Sequence, residues 1–161
     1  MDSMVRTTAL ELSIINRVKL YRLIFGLSKR QLSLNLRHNE YYIAKVENEK
    51  EINSYPPHEW PKRAAALNCT VHDLPPEKNN SIGELVEKVV LSLSNEADLN
   101  LVIDGLISYG FFDRPKAIDE IAKHLFIDKQ KQLELLYKSM DGFLQKGYLK
   151  QRALKYYRDI V

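Results

Sequence analysis

The chain has one cysteine in 161 residues, Cys69, so no intramolecular disulfide can form. The setting this predicts is the reducing one of the cytoplasm. No opening stretch has the order of a signal peptide, and no apolar run is long enough to span a bilayer, which predicts a cytoplasmic protein with no membrane partner. Glycine is sparse, and the six present form no phosphate-cradling loop. Gly26, Gly110 and Gly147 suit helix ends or turns, whereas Gly83, Gly105 and Gly142 fall inside helical patterns, where they cost stability unless they permit close packing. The four histidines, His38, His58, His72 and His124, have no metal-ligand spacing and no companion cysteine pair. With no base placed beside Cys69 either, the expectation is a protein without catalytic residues, metal or cofactor. A large charge of one sign is missing too: the formal excess is only +3, too small to announce a nucleic-acid binder by itself.

What is present is an ordinary globular composition, 45% hydrophobic and 28% charged, enough to bury a core in one domain or two small ones. The charge is uneven. Residues 1–75 hold eleven Lys/Arg against eight Asp/Glu, and residues 76–161 hold thirteen of each. The stretch PPEKNN, from Pro75 to Asn80, combines paired prolines with charge and asparagine. It predicts a domain over 1–75, a linker over 76–80 and a second domain over 81–161.

Apolar periodicity predicts a mainly helical, all-α chain. Ile14, Ile15, Val18, Tyr21 and Phe25 form the stripe of a first helix that Gly26 ends. Leu20, Leu23 and Ile24 lie off that stripe, so the C-terminal half or a second subunit is expected to cover it. Pro56 and Pro57 keep their surroundings as loop; EWPKRAAALN then reads as a helix with Trp60, Ala64 and Leu67 inward, and Thr70 to Leu74 as a fifth short turn. In the second half, Ser81 and Glu84 have capping-box spacing, and Ile82, Leu85, Val86, Val89 and Leu93 predict a helical seam that packs within the chain or against a second copy. Asn95 caps a helix that Gly110 stops, Pro115 opens another through Leu125, and Asp128 caps a longer one through Leu144. Residues 147–161 suit a two-stranded hairpin or a last helix. The hairpin is favoured, and helices followed by a hairpin are the layout of a winged helix.

The most informative stretch runs from Leu27 to Asn48, LSKRQLSLNLRHNEYYIAKVEN. Ser28 with Gln31 forms a capping box for a helix to Leu36. Arg37, His38 and Asn39 make a break, and Asn39 caps a second helix, Glu40 to Glu47, with Ile43 and Val46 inward. Two short helices joined by so tight a turn have the geometry of a helix-turn-helix.

Residues 18–74 resemble the phage-repressor type of helix-turn-helix domain, the Cro/repressor or Xre family. Arg22 stands at the arginine of helix one, Gly26-Leu27-Ser28 at the G-L-S that opens helix two, Leu32 and Ile43 at core positions, and Glu47-Asn48 at the E-N that closes helix three. The chain departs from the family where Arg37-His38 replace a glycine and a small apolar residue, where Glu49 replaces a glycine, and where Ser33 replaces an alanine. The resemblance implies a five-helix repressor-like domain. It also implies a structural ion pair between Arg22 and Glu47, helix three in the major groove, Lys29 beside a phosphate and Asn48 on the DNA backbone.

The expected partner is therefore double-stranded DNA, bound as a homodimer through Leu20, Ile24 or the 82–93 seam, and the expected function is sequence-specific transcriptional regulation. Tyr41 and Lys45 are candidates for base edges, with Asn39 at the start of the same helix. Glu40 suits either a cytosine amino group or the role of a helix N-terminal acid. Lys29, Arg30, Asn48 and Lys50 suit phosphates. Tyr42 suits a wedge over helix two or a phosphate ligand. In the second half, Lys150, Arg152 and Lys155 would contact phosphate if the hairpin is a wing; a solvated basic hairpin is the plainer alternative. The competing class is a protein-interaction module that keeps the scaffold, with Glu40 and Glu49 marking a surface unsuited to phosphate. An effector for the second half is named by no residue.

Overall fold

The computed structural model describes residues 5–69 and 83–159. The chain is mainly helical with a few short strands. It divides into two compact units, Met1–Leu91 and Ser92–Val161. The expected linker over 76–80, the short fifth helix over Thr70 to Leu74 and the start of the seam at Ile82 lie outside the described residues. Among the described residues no helix is long and apolar enough to cross a membrane.

The first unit opens with strand β1, Arg6–Thr8, and helix α1, Ala9–Ile24. Thr8 caps α1: its hydroxyl accepts the Glu11 amide at 3.2 Å while the Glu11 carboxylate accepts the Thr8 amide at 3.1 Å. That capping box precedes the apolar stripe, so periodicity alone does not reveal it. Leu20 and Ile24 are buried, as are Ile14, Ile15, Val18, Tyr21 and Leu23. They are core residues, which removes them as candidate dimer contacts. Helices α2, Lys29–Asn35, α3, Tyr42–Val46, and α4, Trp60–Ala66, follow, with a 3-10 turn at Pro57–Glu59 leading into α4. Pro61 sits in the first turn of α4, where amides lack intrahelical partners anyway.

Among the described residues of the helical seam expected over 82–93, no helix forms. Strand β2, Leu85–Glu87, pairs antiparallel with β1, setting Arg6 opposite Glu87 and Thr8 opposite Leu85. The chain then stays outside any helix through Leu91. Leu85, Glu87 and Val89 are exposed, whereas Val86 is half-buried and Lys88 and Val90 are buried. This is the period of a strand. A lysine at an inward position disguises it in the sequence: Lys88 is 2% exposed, and its ammonium donates to the carbonyls of Glu51 at 2.7 Å and Asn53 at 3.0 Å. Burial pushes its pKa down against the attraction of Glu51 and Glu49. Asn16 on α1 accepts the Leu91 amide at 2.8 Å, and Glu49 accepts the Val90 amide at 2.8 Å. Residues 85–91 are thus a strap belonging to the first unit, and the division falls after Leu91 instead of before residue 81.

In the second unit Asn95 caps helix α5, Glu96–Ser108, by accepting the Asp98 amide at 3.1 Å. Gly110 then takes a left-handed conformation at φ 81. The helix expected from Pro115 starts later, because Lys116–Ala117 form strand β3 before helix α6, Ile118–His124. Helix α7, Gln130–Gln145, follows Lys129 and has no side-chain cap, so Asp128 does not serve as one. Strands β4, Lys150–Arg152, and β5, Lys155–Tyr157, make the hairpin, and β5 also pairs with β3. The sheet order is β3-β5-β4, antiparallel throughout. Leu99, Ile103, Leu106, Phe112, Ile121, Leu136 and Met140 supply the buried core of this unit.

Candidate nucleic-acid interface

Helix α2 is capped by its own residues: the Ser28 hydroxyl accepts the Gln31 amide at 3.1 Å, and the Gln31 side chain accepts the Ser28 amide at 2.8 Å. Beyond Leu36, Arg37 takes the left-handed conformation at φ 59. An arginine therefore adopts the backbone that glycine favours, at the place where the resembling family carries glycine. The Asn39 side chain accepts the Tyr41 amide at 2.9 Å. This Asx turn holds residues 39–41 out of the helix, so α3 starts at Tyr42 instead of Glu40.

Two polar links fix α3. Ser33 on α2 is fully buried; its hydroxyl donates to the Lys29 carbonyl at 2.8 Å and accepts the Ile43 amide at 3.0 Å. Helix α3 has no side-chain cap at its first residue, and Ser33 supplies an acceptor from the neighbouring helix. At the other end, Arg22 donates through Nε and Nη2 to the two Glu47 oxygens at 2.7 and 2.8 Å, and through Nη1 to the Leu27 carbonyl at 2.8 Å. These are the two residues that the resemblance pairs. One guanidinium thereby ties α1, the entry to α2 and the end of α3 together. Lys19 and Lys29 lie 3.9 and 4.0 Å from the same carboxylate. Burial lowers the pKa of the Lys19 ammonium, and Glu47 opposes that shift.

With Ile43 and Val46 wholly buried, the outward side of this frame is polar. Tyr41 is 62% exposed and Lys45 is exposed. Together with His38, Asn39, Tyr42 and Asn53 they line a hollow of about 320 Å³. Lys29 keeps half its side chain in solvent. Asn48 accepts the Lys50 amide at 3.0 Å, which shapes the turn after α3. Glu40 accepts from Arg30 Nε at 2.6 Å, both side chains being exposed. That bond, before any other influence, holds the Glu40 carboxyl below its ordinary pKa. The two residues expected to face DNA separately thus face each other.

Behind α3 lies a cluster that sequence reasoning did not assemble. The His38 ring stacks on Tyr42 with centroids 3.9 Å apart, and its Nε2 lies 3.1 Å from a Glu59 oxygen. Arg63, fully buried, pairs with Glu59, donates to the Tyr42 hydroxyl at 3.1 Å and to the Pro56 carbonyl at 3.1 Å, and sits 4.1 Å from the centre of the Tyr55 ring. Burial pushes Tyr42 up in pKa, and Tyr55 well up. The Tyr42 ring packs on His38 and its hydroxyl accepts from Arg63. The i,i+4 spacing of Glu59 and Arg63 was a usable signal; the contact from His38 was not, since only the fold brings it near.

In the second unit, Lys150 pairs with Asp159 and Arg158 with Asp113. Arg152 and Lys155 are exposed and lie opposite each other in the β4–β5 register. Among the described residues no group of three or more His, Cys, Asp or Glu is placed to hold a metal ion. Comparison of the chain with protein families, with curated proteins and with solved structures finds no match.

Proposed function

We propose that the chain is a sequence-specific DNA-binding regulator of transcription, acting in the cytoplasm without cofactor or catalysis, in which α2 and α3 form a repressor-like helix-turn-helix of the Cro/repressor or Xre type. The turn 39–41 and α3 enter the major groove, where Tyr41 and Lys45 meet base edges. Lys29 and Asn48 meet phosphates, with Lys50 beside them. The observation that carries this reading is the division of residues 41–46: Ile43 and Val46 have no exposure, while Tyr41, just before α3, and Lys45 on it stand outward beside the hollow.

The competing reading, an interaction module repelling phosphate, leaned on Glu40 and Glu49. Glu40 is paired with Arg30, which offsets its charge on the surface itself, and Glu49 serves as the acceptor of the Val90 amide. The second unit's order of helix, strand, two helices and hairpin, with β5 central in the sheet, supports a winged-helix assignment for it. A homodimer remains part of the proposal, since one short helix covers few base pairs; its contact does not involve Leu20 or Ile24.

The test is a titration of the full chain with random-sequence duplex DNA at two salt concentrations. Binding that weakens steeply with salt, and that Lys29→Ala with Lys45→Ala reduces further, is expected. Absence of binding at low salt would sink the reading.

A further inference from the structure

The turn that follows α3 is suspended between two buried anchors. At its start Glu47 is held by Arg22. At its end the carbonyls of Glu51 and Asn53 accept from the Lys88 ammonium on the strap, at 2.7 and 3.0 Å. Between the anchors Asn48, Glu49 and Lys50 are exposed, and the Glu49 carboxylate adds a further bond to the strap by accepting the Val90 amide at 2.8 Å. The strap is itself seated on α1: Asn16 accepts the Leu91 amide at 2.8 Å and donates to the Val89 carbonyl at 3.4 Å.

Lys88 and Glu49 each run against what stability alone would select. Val86, Lys88 and Val90 occupy the inward positions of the strap, where an apolar residue at 88 would continue the pattern without desolvating an ammonium. Lys88 has no carboxylate at ion-pair distance among the described residues, and its donors go to the carbonyls of residues 51 and 53. An apolar side chain would keep the core and lose the hold on that turn. Glu49 is an acid beside the residues assigned to phosphates, where its charge opposes DNA. Its bond to the Val90 amide needs only an oxygen, so charge and acceptor can be separated by substitution.

We propose that the strap is a clamp on the phosphate-contacting turn, with Lys88 and Glu49 as positioning residues for Asn48 and Lys50, so that duplex DNA binds more tightly while residues 88–91 are docked. The inference rests on the DNA-binding reading given above and adds a point of regulation to it, since the strap ends at Leu91, where the first unit passes into the second. Linkage makes the coupling reciprocal: if a docked strap favours DNA, bound DNA holds the strap down.

The experiment uses the full chain and a random-sequence duplex at two salt concentrations. Glu49→Ala removes acceptor and charge together and is expected to weaken binding about tenfold, a coupling of ordinary size. Glu49→Gln keeps an oxygen acceptor, drops the charge, and is expected to bind at least as tightly as the unaltered chain. If both variants bind more tightly, Glu49 acts through its charge alone and the proposal is overturned. Lys88→Met is expected to weaken binding about tenfold and to lower the salt slope by about one, as Lys50 loses its phosphate. A lower melting temperature with affinity and slope unchanged would make Lys88 a residue of stability only, which also overturns the clamp. The Glu49 pair decides the matter even where Lys88→Met does not fold. In the unaltered chain, saturating duplex is expected to slow hydrogen exchange of the Val90 and Leu91 amides about tenfold; unchanged exchange overturns the clamp as well. If the unaltered chain binds no duplex at low salt, the underlying reading has failed; if it binds and the variants bind as it does, the clamp alone has failed.

Discussion

Ser33 illustrates how one hydroxyl joins two helices. It stands at a position where the resembling family has alanine, and in this chain it supplies the acceptor for the Ile43 amide. Ser33→Ala leaves that buried amide unsatisfied, an expected loss of about 1–3 kcal/mol in urea-induced unfolding. Glu40 acquires a different meaning from the one its position suggests. Bonded to Arg30, its carboxylate offsets a cation of the same surface. Glu40→Ala is expected to tighten binding to all duplexes alike and to steepen the salt dependence by about one phosphate contact; a change in base preference, measured by selection from a random pool, would return it to the reading surface. Neither effect is visible from residue identity alone, because each depends on a partner ten residues away.

At the scale of elements, several caps and stops and the C-terminal hairpin were legible, whereas β1, β2 and β3 were not. Ser28, Asn95, Gly26 and Gly110 stand at the ends where their chemistry places them, since a cap acts over three or four residues and needs no tertiary partner. The strap over 85–91 escaped because its inward side contains Lys88, whose ammonium is satisfied only by the carbonyls of Glu51 and Asn53. Strand β3 escaped because two residues carry no period and pair with β5 some forty positions on. Helix α7 offers a test of local propensity. A Cβ added at Gly142 would meet nothing within 4 Å, so its flexibility is not needed for close packing. Gly142→Ala is expected to raise stability by about 0.5–1 kcal/mol in the same urea titration.

For the whole molecule, acid is the expected weakness. Burial pushes Glu11 and Glu59 up, yet both sit below their ordinary value of 4.5. Bonds from the Thr8 amide and from Thr7, Thr8 and Ser54 overcome burial at Glu11, and the His38 contact with the Arg63 charge does so at Glu59. Folded-state carboxyls held low bind fewer protons than the unfolded chain, so their stabilisation is complete above 4.5 and is lost as pH falls through the lowered values. A melting temperature that drops below pH 4.5, with a shallower drop in Glu59→Gln, is the expected outcome. Short-range chemistry in the chain set the mainly helical class, the stop of α1 at Gly26 and the ends of α2 and α5, whereas the pairing of Arg22 with Glu47 was what the family resemblance implied. Contacts made on folding set where the first unit ends, that Glu40 faces Arg30, that His38 and Arg63 brace α3, and that Ala153 and Leu154 at the hairpin tip are left-handed. Each of those depends on backbone conformation or on partners far apart in the chain, which periodicity does not encode.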